Sequence, residues 1–159
     1  MRISFDLDEV LFVDPGRYET EPPLRFPFDR LFTERLRKGT VWLIGELKRR
    51  GFEVWVYTSS HRTVTYIAAL FRHYRVYFDE IVNADRHERE VQAGHARRLP
   101  AKLPNRYRIS LHIDDEDAII RSARDYGYRV MRVYEPDPEW ADKVLQEALR
   151  VRAMEEGAK

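Results

Sequence analysis

Three short apolar runs in this chain each stop abruptly on oxygen-bearing side chains. Ile3–Leu7 meets Asp6 and Asp8, Phe52–Tyr57 meets Thr58, Ser59 and Ser60, and Ile109–Ile113 meets Asp114 and Asp115. Near-continuous runs rich in β-branched and aromatic residues suit strands buried on both faces, as in parallel sheets. Phe78–Val82 and Tyr128–Tyr134 read the same way. Between the strands, apolar residues recur at helical spacing over Phe28–Arg50, Thr63–His73, Ala118–Tyr126 and Trp140–Met154. Gly39 divides the first stretch, with Thr40 as a candidate N-cap, while Gly51 and Gly127 stand where helices end. This alternation predicts an α/β fold: a three-layer, Rossmann-like parallel sheet of about five strands with helices on both faces.

A length of 159 residues suits one domain with one core, so residues 1–159 are expected to form a single unit. Two stretches interrupt the pattern. Asp14–Phe28 carries Pro15, Gly16, Pro22, Pro23 and Pro27 and reads as an irregular excursion. Asn83–Arg108 is polar and reads as loop with one short helix. Phe26 and Phe28 are expected to pack onto the domain while the nearby arginines stay solvated. Trp140, Val144, Leu145 and Leu149 on the last helix are expected in the core.

Charge narrows the function classes. With 28 basic and 27 acidic residues the net charge is +1, which lacks the basic excess of a general nucleic-acid or membrane binder. The absence of cysteine excludes disulfide scaffolds, thiol catalysis and cysteine-held metals. The first residues, MRISFDLDEVLF, place acids within the apolar run, unlike a signal peptide. No apolar run approaches the roughly 20 residues of a membrane span. A soluble, cytoplasmic protein is expected.

Ligands of open α/β sheets bind outside the carboxyl ends of the strands, and the polar residues cluster there. Asp6, Asp8, Asp114 and Asp115 would make an all-oxygen site of high negative charge. Such a site calls for a hard divalent cation, of which Mg²⁺ is the natural choice. A cation there would draw a phosphate against a carboxylate, and an aspartate can then attack phosphorus. Thr58 can hold a phosphoryl oxygen, and a lysine would neutralise the nucleophile and the transferring group.

The motifs resemble those of the haloacid dehalogenase-like superfamily. ISFDLDEVL resembles its first motif, VWVYTSS its second and LHIDDEDA its acidic fourth, in that order, over roughly residues 1–135. The resemblance implies that Asp6 is nucleophile and metal ligand. Asp8 would be general acid and base, with its backbone carbonyl on the metal, and Thr58 would bind the phosphoryl group. Either Asp114 or Asp115 would complete the metal site, with Asp115 favoured as the direct ligand. Lys102 is chosen for the third, cationic motif over Arg97 and Arg98. Glu9 departs from the pattern, since many members carry Gly there. The short segments at about 12–29 and 83–101 leave no room for a large cap domain.

The resemblance thus implies a nearly capless Mg²⁺-dependent phosphomonoesterase with an aspartyl-phosphate intermediate. Its phosphorylated substrate could be small or macromolecular, and oligomerisation could close the site. Ser59 and Arg17 are further candidates for substrate binding; His61 and Arg62 could contact substrate or serve the surface, and His112 is expected to be structural. A phosphotransferase, or a non-catalytic module that binds phosphate or nucleotide, is the alternative.

Overall fold

The computed structural model describes residues 1–133 and 135–158. Strands β1 (Arg2–Phe5), β2 (Glu53–Tyr57), β3 (Glu80–Val82), β4 (Leu111–Asp114) and β5 (Val130–Arg132) form one parallel sheet. Their order is β3-β2-β1-β4-β5. The helices are α1 (Phe28–Leu31), α2 (Thr40–Arg49), α3 (Val64–His73), α4 (Ala84–His87), α5 (Asp117–Tyr126) and α6 (Trp140–Gly157). Chain order reverses direction between β1 and β4, which makes their carboxyl ends the switch point of the sheet. Tyr134, expected to end the fifth strand, lies outside the described residues.

Strand alternation sorts the side chains into two layers. Ile3, Phe5, Val54, Val56, Leu111 and Ile113 pack with Leu43, Ile44 and Leu47 of α2, Ile67, Leu70 and Phe71 of α3, and the apolar stripe of α6. Each such aliphatic or aromatic side chain contributes about 1.5–3 kcal/mol on burial. The opposite layer is covered by α5 and by the chain between β3 and β4, through Val91, Leu103, Ile119, Ala123 and Tyr128. Its strand residues include Trp55 and Tyr57. Ser4 and His112, cross-strand partners in the β1–β4 register, are fully buried polar residues. Trp140, Val144 and Leu145 of α6 lie in the core as expected, with Leu149 packed against it.

Several boundaries differ from the sequence reading. Helix α1 stops at Leu31, and the Leu36–Arg37 segment makes isolated bridges with Phe12 and Thr20 instead of continuing a helix. Backbone bonds take it on both sides: Val13 N–H donates to Arg35 and Arg37 N–H to Leu11, while Glu21 and Lys38 bond Leu36 and Glu19. Those bonds outweigh a helical preference that only apolar spacing supported. Gly39, at φ 90, caps α2 in place of Thr40, which is its first residue. The Glu21 carboxylate accepts from the N–H groups of Gly39 and Val41 and so satisfies the helix start. Thr63 caps α3 by accepting from Tyr66 N–H at 3.2 Å. After α4 the chain makes a wide turn, Glu88–Gln92, and later a tight turn, Pro104–Tyr107. Phe26 is 70% exposed, not packed, and Phe28 lies against His73. Among the described residues no helix is long and apolar enough to cross a membrane.

Candidate active site

The site is built where β1 and β4 end. Asp6 N–H continues the ladder by donating to the Ile113 carbonyl at 2.9 Å, so its carboxylate is fixed beside β4. Asp6 shares its strand face with Ser4, and Asp114 shares its face with His112, because each pair is two residues apart. The polar groups of this layer are joined in a chain. His112 Nδ1 lies 2.8 Å from Ser4 Oγ, and its Nε2 lies 2.8 Å from Asp114 Oδ2. Lys102 Nζ donates to the same Asp114 oxygen at 2.7 Å and stands 2.9 Å from Asp6 Oδ2. Asp114 Oδ1 accepts from Glu116 N–H.

Lys102 is fully buried, and its ammonium belongs to the layer covered by the chain between β3 and β4. The next residue is pinned from below: Leu103 N–H donates to the buried Tyr57 hydroxyl, which bonds His87 in turn. Tyr57 thereby sets the height at which Lys102 enters. Arg97 and Arg98, the other candidates for this role, are exposed, and Arg98 pairs with Glu88.

The charges decide protonation. Burial disfavours the charge of Lys102, but Asp6 and Asp114 outweigh it and hold the ammonium above its ordinary range. Burial would also raise Asp114, yet His112 and Lys102 hold its carboxyl well below the usual range. Asp6 moves up, because burial and the Asp114 charge exceed the pull of Lys102. Asp115 is half-buried and is pushed up to about 6 by burial and by the charges of Asp114 and Asp6.

Asp6, Asp114 and Asp115 each offer one oxygen within 4.8 Å of the others. Asp6 Oδ1 is buried and has no hydrogen-bond partner. An orphaned carboxylate oxygen facing two further carboxylates is the environment a hard divalent cation satisfies, so these residues fit one. Asp114 already has both oxygens engaged and its carboxyl held low, whereas the carboxyls of Asp6 and Asp115 are both raised.

The remaining expected residues fall at different depths. Thr58 is buried at the end of β2, and its hydroxyl oxygen accepts from Ser60 N–H at 3.1 Å, leaving its proton to donate. Ser59 is exposed. The side chain of Asp8 does not join the carboxylate cluster; it is half-exposed and pairs with Arg62 at 2.9 Å. Glu9 sits at φ 58, in the left-handed region that suits glycine. Arg17 is exposed and reaches Glu9 at 3.5 Å. His61 is exposed and faces Asp85.

The sequence reading left the links around Asp114 and Asp8 unseen. His112 packs structurally, as expected, and also orients Asp114; its place two residues before that acid on one strand was the available signal. Ser4 gave the matching signal on β1. Glu34, which binds Arg62, gave none.

The backbone is similar to several solved structures. A protein of Listeria monocytogenes serotype 4b aligns with a TM-score of 0.58 at 17% identity, over 96% of this chain and 99% of that one. A haloacid dehalogenase-superfamily hydrolase of subfamily IA from Geobacter sulfurreducens aligns at 0.54 and 16% identity, over 86% and 91%. A haloacid dehalogenase-like hydrolase from Porphyromonas gingivalis aligns at 0.50 and 16% identity, over 94% and 97%. The fold is haloacid dehalogenase-like. No family model matches the sequence, and no curated protein matches it. Within the haloacid dehalogenase-like fold, the acidic cluster of this chain lies at the switch point of the sheet, where such folds bind ligands.

Proposed function

We infer that the protein is a phosphomonoester hydrolase with Asp6 as nucleophile and Mg²⁺ as cofactor. The observation that carries this reading is the buried Asp6–Lys102–Asp114 arrangement, with one Asp6 oxygen unpartnered and Asp115 alongside.

Asp6, Asp115 and Asp114 would hold the cation, which supplies charge neutralisation for the phosphoryl oxygens. Thr58 donates its hydroxyl proton to a phosphoryl oxygen, and Lys102 stabilises charge at the nucleophile. An Asp6 oxygen attacks phosphorus and the ester oxygen departs, taking a proton from Asp8 to leave as an alcohol. Asp8, now a carboxylate, accepts a proton from water as that water attacks the phospho-aspartate. The phosphorus–oxygen bond to Asp6 breaks, returning Asp6 and releasing inorganic phosphate. We read the chain as one catalytic domain without a large cap, open to phosphorylated substrates small or large.

The test is hydrolysis of p-nitrophenyl phosphate with and without Mg²⁺ by wild type and Asp6→Asn. Mg²⁺-dependent turnover is expected in wild type, with a loss of about 10³-fold or more in the variant. Turnover that survives in Asp6→Asn would overturn the assignment. A wild type that binds phosphate without turnover would favour the non-catalytic module.

A further inference from the structure

Arg62 stands at a junction that the reaction above leaves unused. Its Nη1 donates to Asp8 Oδ2 at 2.9 Å and to Ser60 Oγ at 2.9 Å, and its Nε donates to Glu34 Oε1 at 2.9 Å. The guanidinium also lies over the Phe12 ring, 5.4 Å from its centre. Tyr66, in the first turn of α3, donates its hydroxyl to the second Glu34 oxygen. Three separate stretches of chain thus converge on one cation: the turn after β1, the excursion before α2, and the loop after β2.

The burial runs in order. The side chains are 14% exposed at Glu34, 30% at Arg62 and 53% at Asp8. Glu34 is the fixed end, held by Arg62 and Tyr66, and Asp8 is the free end. An exposed aspartate on a turn would otherwise sample several rotamers, and proton transfer requires it within hydrogen-bond reach of the leaving oxygen. A surface ion pair made only for stability is worth about 0–1 kcal/mol and needs no second anchor. Here a second carboxylate, itself braced by a tyrosine, fixes the arginine in a planar fork.

The geometry points to Arg62 as a positioning residue that, braced by Glu34, holds the Asp8 carboxylate at the mouth of the site in the orientation that serves the leaving group. This inference rests on the phosphatase reading and adds to it a residue acting through Asp8.

The experiment compares two esters of nearly equal shape, phenyl phosphate and p-nitrophenyl phosphate, in the full-length Mg²⁺-loaded protein. Phenolate leaves poorly and depends on a placed proton donor, whereas nitrophenolate leaves well without one. Arg62→Met keeps the aliphatic stem over Phe12. It should lower kcat/KM, which reads the step that expels the alcohol, by about tenfold or more on phenyl phosphate and by no more than about threefold on p-nitrophenyl phosphate, while the later hydrolysis of the phospho-aspartate is common to both esters. Arg62→Lys should recover part of the loss, Glu34→Gln should shift the ratio of the two esters in the same direction, and Arg62→Met should add nothing in an Asp8→Ala background. Glu34→Gln gives the ratio independently should Arg62→Met fail to fold by circular dichroism. An unchanged ester ratio in active, folded variants would overturn the inference while Asp6→Asn still judges the phosphatase reading. A wild type that hydrolyses neither ester would overturn both.

Discussion

At the residue scale the candidate site is organised around the buried ammonium of Lys102. Lys102 is enclosed with Asp6 and Asp114 at 2.9 and 2.7 Å, and removing it would leave two buried carboxylates facing one another. Lys102→Met should therefore destabilise the metal-free protein by about 3–5 kcal/mol, read as a drop in urea midpoint. Asp115 allows a signed test with pH. Its carboxyl is pushed up to about 6 in the folded protein against 3.8 as the ordinary value, so the unfolded chain loses its proton first. The folded state is accordingly penalised as pH rises from about 4 to 6, and the penalty is complete above that. In EDTA, Asp115→Asn should leave the melting temperature unchanged at pH 4 and raise it at pH 7.5. A rise that is equal at both pH values would show that the effect is not ionisation.

At the element scale, strands and long helices were legible because they carry strong periodic signals, and the strand ends located the acids. Helix α5 runs from Asp117 to Tyr126 and closes at Gly127 in the left-handed conformation, one residue longer than its spacing suggests. The stretch between Phe32 and Gly39 was not legible. Its non-helical path depends on backbone bonds to Leu11, Val13, Glu19 and Glu21, and such partners leave no mark on local spacing. The Asp8–Arg62–Glu34 contact was hidden for the same reason, since its members lie 54 and 28 residues apart. Cap chemistry, by contrast, acts locally. Thr63 accepts from Tyr66 N–H at the start of α3, the helix that carries Tyr66, so Thr63→Ala should cost about 1 kcal/mol in chemical denaturation.

At the scale of the whole molecule, the two layers do different work. The α2, α3 and α6 side is an apolar core. The α5 side holds the polar chain from Ser4 through His112, Asp114 and Lys102 to Asp6, fenced by Trp55, Tyr57 and Val82. The resemblance read from three motifs and the fold found by structural similarity agree on a haloacid dehalogenase-like parallel sheet, although identity to the similar structures is only 16–17%. What is shared at that distance is the fold.

The seam between β1 and β4 has one more consequence. It joins Ile3 to Leu111 and Phe5 to Ile113, while the neighbouring seam joins Ile3 to Val54. Closing the longer loop costs more chain entropy, by about 0.6 kcal/mol for a doubling of its length, so this seam is the entropically more costly of the two. Asp6 and Asp114 meet only across that seam. An incompletely folded chain can already carry helices and the β1–β2–β3 half of the sheet, yet it has no assembled acidic site. The candidate site is therefore assembled only when the longest-range pairing of the central strand is made.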